Sequence, residues 1–312
     1  MDHEVFPLMN SGRTLTAVPA IAEIRRRNRP IWMWWQLLSL DAPTVAVVWA
    51  LLFARCAGAP LRAGKVFALA AMVWLIYAAD RVADGIIPRP GERLEERHRF
   101  YARHTFAVCC FGVFLLVMLA YLFVVDLGSL ERQATLWLLW AVTIYFVWIH
   151  VPFHRLRPGV MKGIVVGLIF ACGTVLMAWT QAGKEGGRVG ESAVVFWLLC
   201  SLNCIAIEHW EHESETKARD VRADFRKEGA RKGGNARRFL AYMFAAASAC
   251  MVVILANSAG HPFEIFLASS GLAAALLGLI HSLREGISGE DLRVLADAAL
   301  VLPALLALLR IG

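Results

Sequence analysis

The stretch Trp74–Gly85, WLIYAADRVADG, begins as apolar helix and ends in charge. Asp80 and Asp84 sit four apart with Arg81 between them. That spacing puts both carboxylates on one face of a helix, about one turn apart. Two like charges so placed destabilise a helix slightly unless something positive lies against them. Arg81 departs from Asp80 by roughly 100° in an ideal helix, so it is a poor neutraliser of the pair. A divalent cation does better, and Mg²⁺ takes one or two carboxylates together with water and phosphate oxygens. The plainer reading is a polar helix end facing water, and the rest of the chain decides between the two.

Outward from this stretch the chain is apolar. Of its 312 residues 58% are hydrophobic, only 18% are charged, and the mean hydropathy is +0.56. Soluble domains carry about a quarter charged residues. The apolar residues fall into nine runs, at about 31–54, 62–82, 104–125, 133–153, 160–181, 192–210, 237–257, 263–283 and 292–310. Each approaches the roughly 20 residues that cross a bilayer as helix. Helices satisfy their own backbone groups in lipid, and the short alternating segments of a membrane barrel are absent. The expected fold is an all-α membrane protein, a bundle of nine transmembrane helices.

Charge sets the expected orientation. With the N-terminus inside, 25 of the 32 Lys and Arg fall on the cytoplasmic side and 7 on the other. Positive loops are retained in the cytoplasm, which places the N-terminus inside and the C-terminus outside. Residues 1–30 read as a basic cytoplasmic tail, because IRRRNRP follows the short apolar TAVPAIA instead of preceding it as a signal peptide requires. Residues 31–312 read as one membrane domain with cytoplasmic loops at 83–103 and 211–236. Trp32, Trp34 and Trp35 fit the headgroup level. The net charge of +7 is then topology plus attraction to anionic lipid, not a nucleic-acid patch. The seven cysteines form no CxxC pair and read as inert buried thiols. Nothing calls for a protein partner. An integral protein of a bacterial inner membrane is expected.

A second acidic cluster closes the sixth run, in LNCIAIEHWEHESETKARD. Glu208, Glu211 and Glu215 recur at spacings of three and four, so they share a helical face. Asn203 lies upstream inside the run. By the topology above, both acidic clusters meet the same membrane surface, where a metal could bridge two helices. A solvated charged loop is the alternative. His209 and His212 stand three apart, but no HExxH zinc motif occurs.

Nine spans, with acids closing the second and the sixth, resemble the UbiA superfamily of intramembrane prenyltransferases. ADRVADG is similar to that family's first aspartate motif, and Lys162 in MKGIVVGLIFACG is similar to its lysine at the start of the fifth span. The resemblance implies Mg²⁺-dependent ionisation of an isoprenyl diphosphate and alkylation of a lipophilic acceptor, aromatic or quinone-precursor in type, in a chamber open to the bilayer. It implies metal ligation by Asp80, Asp84, Glu211 and Glu215, with Glu208 as an extra or substitute ligand. Asn203 falls near the family's upstream acidic position. Lys162, Arg97 and Arg103 are the implied diphosphate contacts, and an arginine fork matches phosphate oxygens. Two departures stand out. Ile76 and Tyr77 occupy the family's Asn-Asp positions, which makes Tyr77 a substrate-facing candidate, and the second cluster uses glutamate where aspartate is usual.

Asp41 sits well inside the first run beside Pro43. An acid at that depth costs about 2.5 to 3.5 kcal/mol on insertion scales, so it should face the interior and either shape the acceptor pocket or cap a helix break. Asp297 has Arg293 one turn before it and reads as half of a structural pair. Gly163 and Gly167 form GxxxG, which permits close helix contact. Two other functions compete. An ion-coupled transporter could use Asp41, but inverted repeats and matched broken helices are missing. A catalytically inactive UbiA-like scaffold is favoured by Ile76 and Tyr77 and opposed by retention of both acidic clusters.

Overall fold

The computed structural model describes residues 31–86, 96–150, 159–220, 262–285 and 287–311. Their helices are α1 (Ile31–Leu37), α2 (Asp41–Cys56), α3 (Ala63–Ile86), α4 (Glu96–Arg103), α5 (Thr105–Val125), α6 (Ser129–His150), α7 (Gly159–Gln181), α8 (Gly186–Asp220), α9 (Pro262–Leu283) and α10 (Gly289–Ile311). A 3-10 turn, Gly183–Glu185, leads into α8. Six helical stretches among the described residues are long and apolar enough to cross a membrane: Ala63–Ala83, Thr105–Val125, Val160–Gln181, Gly183–Glu213, Pro262–Leu283 and Gly289–Ile311. The expected run at 237–257 and the tail 1–30 lie outside the described residues.

The first apolar run is not one helix, which corrects the continuous span expected over 31–54. It breaks at Leu38–Leu40, where Ser39 takes a φ of +54°, a conformation unusual for a residue with a side chain. The cause is Pro43. Inside a continuous helix it would remove a hydrogen bond and clash with the preceding turn, whereas in the first turn of α2 its missing N–H costs nothing. Asp41 therefore opens α2 and puts a negative charge at the positive end of the helix dipole. The break is tied on two sides. Trp74 of α3 donates its Nε1 proton to the Leu38 carbonyl at 2.9 Å, and the fully buried Tyr101 of α4 donates to Ser39 Oγ at 3.0 Å. Tyr101→Phe keeps the ring and loses the tie. We expect it to lower stability by about 1 kcal/mol, read from thermal unfolding in detergent; an unchanged midpoint would mean that the hydroxyl holds nothing.

The core gathers around α2. Trp49, Leu52 and Phe53 are fully buried, and the Trp49 and Phe53 rings meet Phe196 of α8 and Phe266 of α9. Ring centroids are 4.7 Å apart for Trp49–Phe196 and 4.4 Å for Phe53–Phe266. Trp49 Nε1 also donates to the Leu300 carbonyl of α10 at 3.1 Å, so one helix pins three others. Aromatic pairs add about 0.5–1.5 kcal/mol each beyond area burial. By contrast α5 and α6 expose Phe106, Val117, Trp137 and Trp140, the surface that lipid tails would cover.

Between α7 and α8 the glycines do what GxxxG spacing permits. A Cβ placed at Gly167 would lie 2.7 Å from the Ser201 backbone nitrogen, so the two helices touch backbone to backbone there. α8 has 35 residues and spans about 52 Å, well beyond the roughly 30 Å of hydrocarbon. The extra turns run through EHESETKARD, whose Glu, Lys, Arg and Ala favour helix in water as well as at an interface. Likewise α3 continues to Ile86 and α4 forms at Glu96–Arg103, inside the stretch read as the 83–103 loop.

At the end away from the acidic motifs, Lys65 of α3 pairs with Glu131 of α6, and both are buried. Gln181 of α7 donates to the same carboxylate at 2.9 Å, as does the Gly128 N–H. Three helices are thereby tied by one buried charge pair.

Candidate functional site

Tyr77 lies one helical turn before Arg81 on α3, so the two share a face. Tyr77 is half-buried and within electrostatic reach of Asp41 on α2, Cys204 on α8, Asp297 on α10 and Arg81 itself. Tyr101 of α4 stands within reach of Arg81 and Asp41. Cys204 in turn stands within reach of Lys162 on α7, Glu208 and Asp297. Groups from six helices therefore gather where the sequence placed its acidic motifs.

Helix register carries the motifs toward this meeting point. At 100° per residue, position 84 falls about 20° from Tyr77 and position 80 about 60°. On α8, positions 208, 211 and 215 all fall within about 40° of Cys204. The acid-bearing faces of α3 and α8 are thus the faces that carry Tyr77 and Cys204, two residues within electrostatic reach of each other.

The individual side chains fare differently. Asp80 is half-buried, Glu208 is exposed, and Lys162 is exposed beside the Cys204 neighbourhood. Asn203 and Asp41 are both half-buried, and each keeps one oxygen, Oδ1, buried without a hydrogen-bond partner. Arg103 is exposed at the end of α4. Asp84, Arg97 and Glu215 belong to α3, α4 and α8, and their side chains lie outside the described residues. Glu211 forms an ion pair with Arg293 of α10. Glu213, which the sequence did not single out, pairs with Arg284 Nε at 2.9 Å. His209 stands 3.9 Å from that same carboxylate, and His281 accepts a hydrogen bond from Trp210 Nε1 at 3.0 Å. His209 of α8 and His281 of α9 therefore sit in a structural network.

Sequence reasoning passed over three groups. Arg81 was set aside as pointing away from Asp80, yet it shares the inward face with Tyr77; register relative to Tyr77 was the available signal. Asp297 was assigned to a structural pair, and Cys204 to inert packing. Both come within electrostatic reach of Tyr77 from helices distant in sequence, which no local pattern reveals.

Beside the polar cluster lies an apolar chamber of about 160 Å³ between α3, α5, α6 and α7. Leu69, Val73, Ile76, Phe123, Leu138 and Phe170 are among its walls. Along α3 it extends from Tyr77 back to Ala68, about 13.5 Å of helix. Tyr77 belongs to both sites: its ring closes the chamber, and it faces the charged groups of α2 and α10.

Among the described residues no three His, Cys, Asp or Glu side chains stand together as a metal-holding group. The ion pair to Arg293 occupies Glu211. Octahedral Mg²⁺ tolerates little misplacement of its ligands, so the described donors do not by themselves fit it.

No protein-family model matches the sequence, and no curated protein matches it. Among solved structures the chain is similar to the apo structure of a UbiA homolog from Aeropyrum pernix K1, with a TM-score of 0.52 and 17% sequence identity. The match covers 85% of this chain and 98% of that one. At that identity the likeness is one of fold: the chain has a UbiA-like fold.

Proposed function

We propose that this integral membrane protein transfers the prenyl group of an isoprenyl diphosphate to a lipophilic acceptor of aromatic or quinone-precursor type. The observation that carries the reading is the position of Tyr77, at the boundary between an apolar chamber and a charged cluster. A molecule that fills both has a long apolar tail and an ionic head. By the charge split, the head would sit at the cytoplasmic face of a bacterial inner membrane. The tail 1–30 and the single membrane domain 31–312 are part of the same proposal.

The chemistry follows from the two environments. Breaking the C1–O bond sends its electron pair out with the diphosphate oxygen and leaves an allylic cation. Positive side chains stabilise the departing anion, and Lys162 is one at hand. Aromatic faces such as that of Tyr77 stabilise the cation, and the apolar walls keep water from it. An acceptor carbon then forms the new C–C bond and loses its proton to the Asp41 carboxylate. The resemblance assigns Mg²⁺ to Asp80, Asp84 and the glutamates of α8. With Glu211 held by Arg293, the charges that meet the diphosphate in this reading are the chain's own.

The test is release of pyrophosphate from a radiolabelled isoprenyl diphosphate by the purified chain. We expect release with the native sequence, and a loss of ~100-fold or more in Lys162→Met, the scale of a lost electrostatic contact to the departing anion. Failure of the native chain to bind the diphosphate would overturn the reading. The Glu211–Arg293 pair favours one alternative, a UbiA-like protein that binds the same lipid without turnover; it predicts binding and no release.

A further inference from the structure

A guanidinium buried without an anion is costly, and a bound anion would relieve that cost. Arg81 is 5% exposed, and its Nε has no hydrogen-bond partner. Among the described residues it makes no ion pair. Asp41 lies in the same neighbourhood, but its Oδ1 is also buried without a partner, so the two groups do not satisfy each other. Asp297 is within reach of Tyr77 as well. Arg81 and Lys162 are the positive groups in this neighbourhood, and of the two only the guanidinium is buried. The glutamates of α8 show the opposite arrangement: Glu211 is answered by Arg293 and Glu213 by Arg284. Among the described residues, one buried cation is left open at the end of the bundle that the acidic motifs occupy, while two acids are closed off by protein cations.

We infer that this chain grips a phosphate of its isoprenyl diphosphate directly through Arg81, and that the grip needs no divalent cation. The inference rests on the prenyltransferase reading. The guanidinium fork offers parallel N–H donors matched to two phosphate oxygens. Lys162 approaches the same meeting point from α7 and adds a second positive charge. Tyr77 and Tyr101 both lie within electrostatic reach of the guanidinium.

The experiment uses the full chain in lipid nanodiscs with farnesyl diphosphate as probe, in millimolar Mg²⁺ and in EDTA. Affinity is expected to agree within about threefold between the two conditions. Arg81→Met should weaken it by about tenfold or more in both, the consequence of losing a charged hydrogen bond. The same variant should leave the thermal midpoint unchanged or raise it, because an uncompensated buried charge has gone. Arg81→Lys should fall between. Binding that vanishes in EDTA and returns with Mg²⁺ overturns the inference and leaves the prenyltransferase reading standing. Unchanged affinity in Arg81→Met also overturns it, as does a lowered midpoint with binding retained, which marks a structural arginine. Absence of farnesyl diphosphate binding in both conditions overturns the underlying reading and the inference with it.

Discussion

Gly167→Ala is expected to destabilise the protein by about 2 kcal/mol or more, and to weaken diphosphate binding as well. The added Cβ would lie 2.7 Å from the Ser201 nitrogen and 2.9 Å from its Cα. Both are backbone atoms of α8, so no rotamer change relieves the contact and the helices must part. Gly163, one turn away, makes the informative comparison. There the nearest atom is Ile205 Cγ1 at 2.9 Å, the end of a side chain that can turn aside. Gly163→Ala should therefore cost well under half as much. The binding effect follows from position: the α7–α8 contact sets Lys162 against Cys204 and Glu208. Thermal unfolding of the two variants in one detergent decides the matter. Equal midpoints would mean that the α7–α8 contact is looser than the backbone approach at Ser201 requires.

Lys65→Met should have the largest effect on stability alone. It leaves the Glu131 carboxylate, 6% exposed, without its cation, and breaking a buried pair in this way costs about 3–5 kcal/mol. Replacing both residues, as Lys65→Met with Glu131→Leu, should recover most of the loss, since a well-packed apolar pair rivals a buried ion pair. The pair also gives a pH signature. Glu131 lies two residues ahead of the apolar run that begins at 133. Burial pushes its carboxyl up, but the Lys65 hydrogen bond, the Gly128 N–H, the Lys65 charge and the Gln181 amide together hold it below its ordinary value. A carboxyl lowered on folding contributes stability that is complete above its unfolded pKa, about 4.3 for glutamate. That contribution is lost as pH falls further, through the folded value. The thermal midpoint should drop on acidification below about pH 4.3, and Glu131→Gln should flatten that part of the profile. A profile identical in the variant would place the acid sensitivity elsewhere.

Much of the architecture was legible because a membrane helix announces itself by length. The runs at 62–82, 104–125, 160–181, 263–283 and 292–310 each coincide with a helix to within a few residues. What length cannot show is a break imposed by three residues. Leu40, Asp41 and Pro43 sit in an unbroken apolar context, yet Pro43 forces a new helix to start and moves Asp41 from mid-span to a helix terminus. The charged ends of α3 and α8 were read as loops because hydropathy stops there, although helix propensity does not. In the site, the face shared by Glu208, Glu211 and Glu215 followed from spacing. That Arg293 answers Glu211 did not, since their pairing depends on how α8 and α10 cross. Arg81 shows the same limit from the other side. Its burial depends on packing between helices, and only the assembled bundle shows a guanidinium left without an anion among the described residues.

The most direct measurement is a proximity test across the two acidic helices. In a chain whose native cysteines are replaced, Asp80→Cys and Glu208→Cys are introduced together and treated in native membranes with a short bismaleimide. We expect an internal cross-link that blocks farnesyl diphosphate binding, while Asp80→Cys combined with Lys184→Cys, at the far end of the bundle, stays unlinked. Thiols at 80 and 208 that each react with a monofunctional maleimide but never with one another would show the two helices turning their acids to separate surroundings, and the shared pocket would not exist.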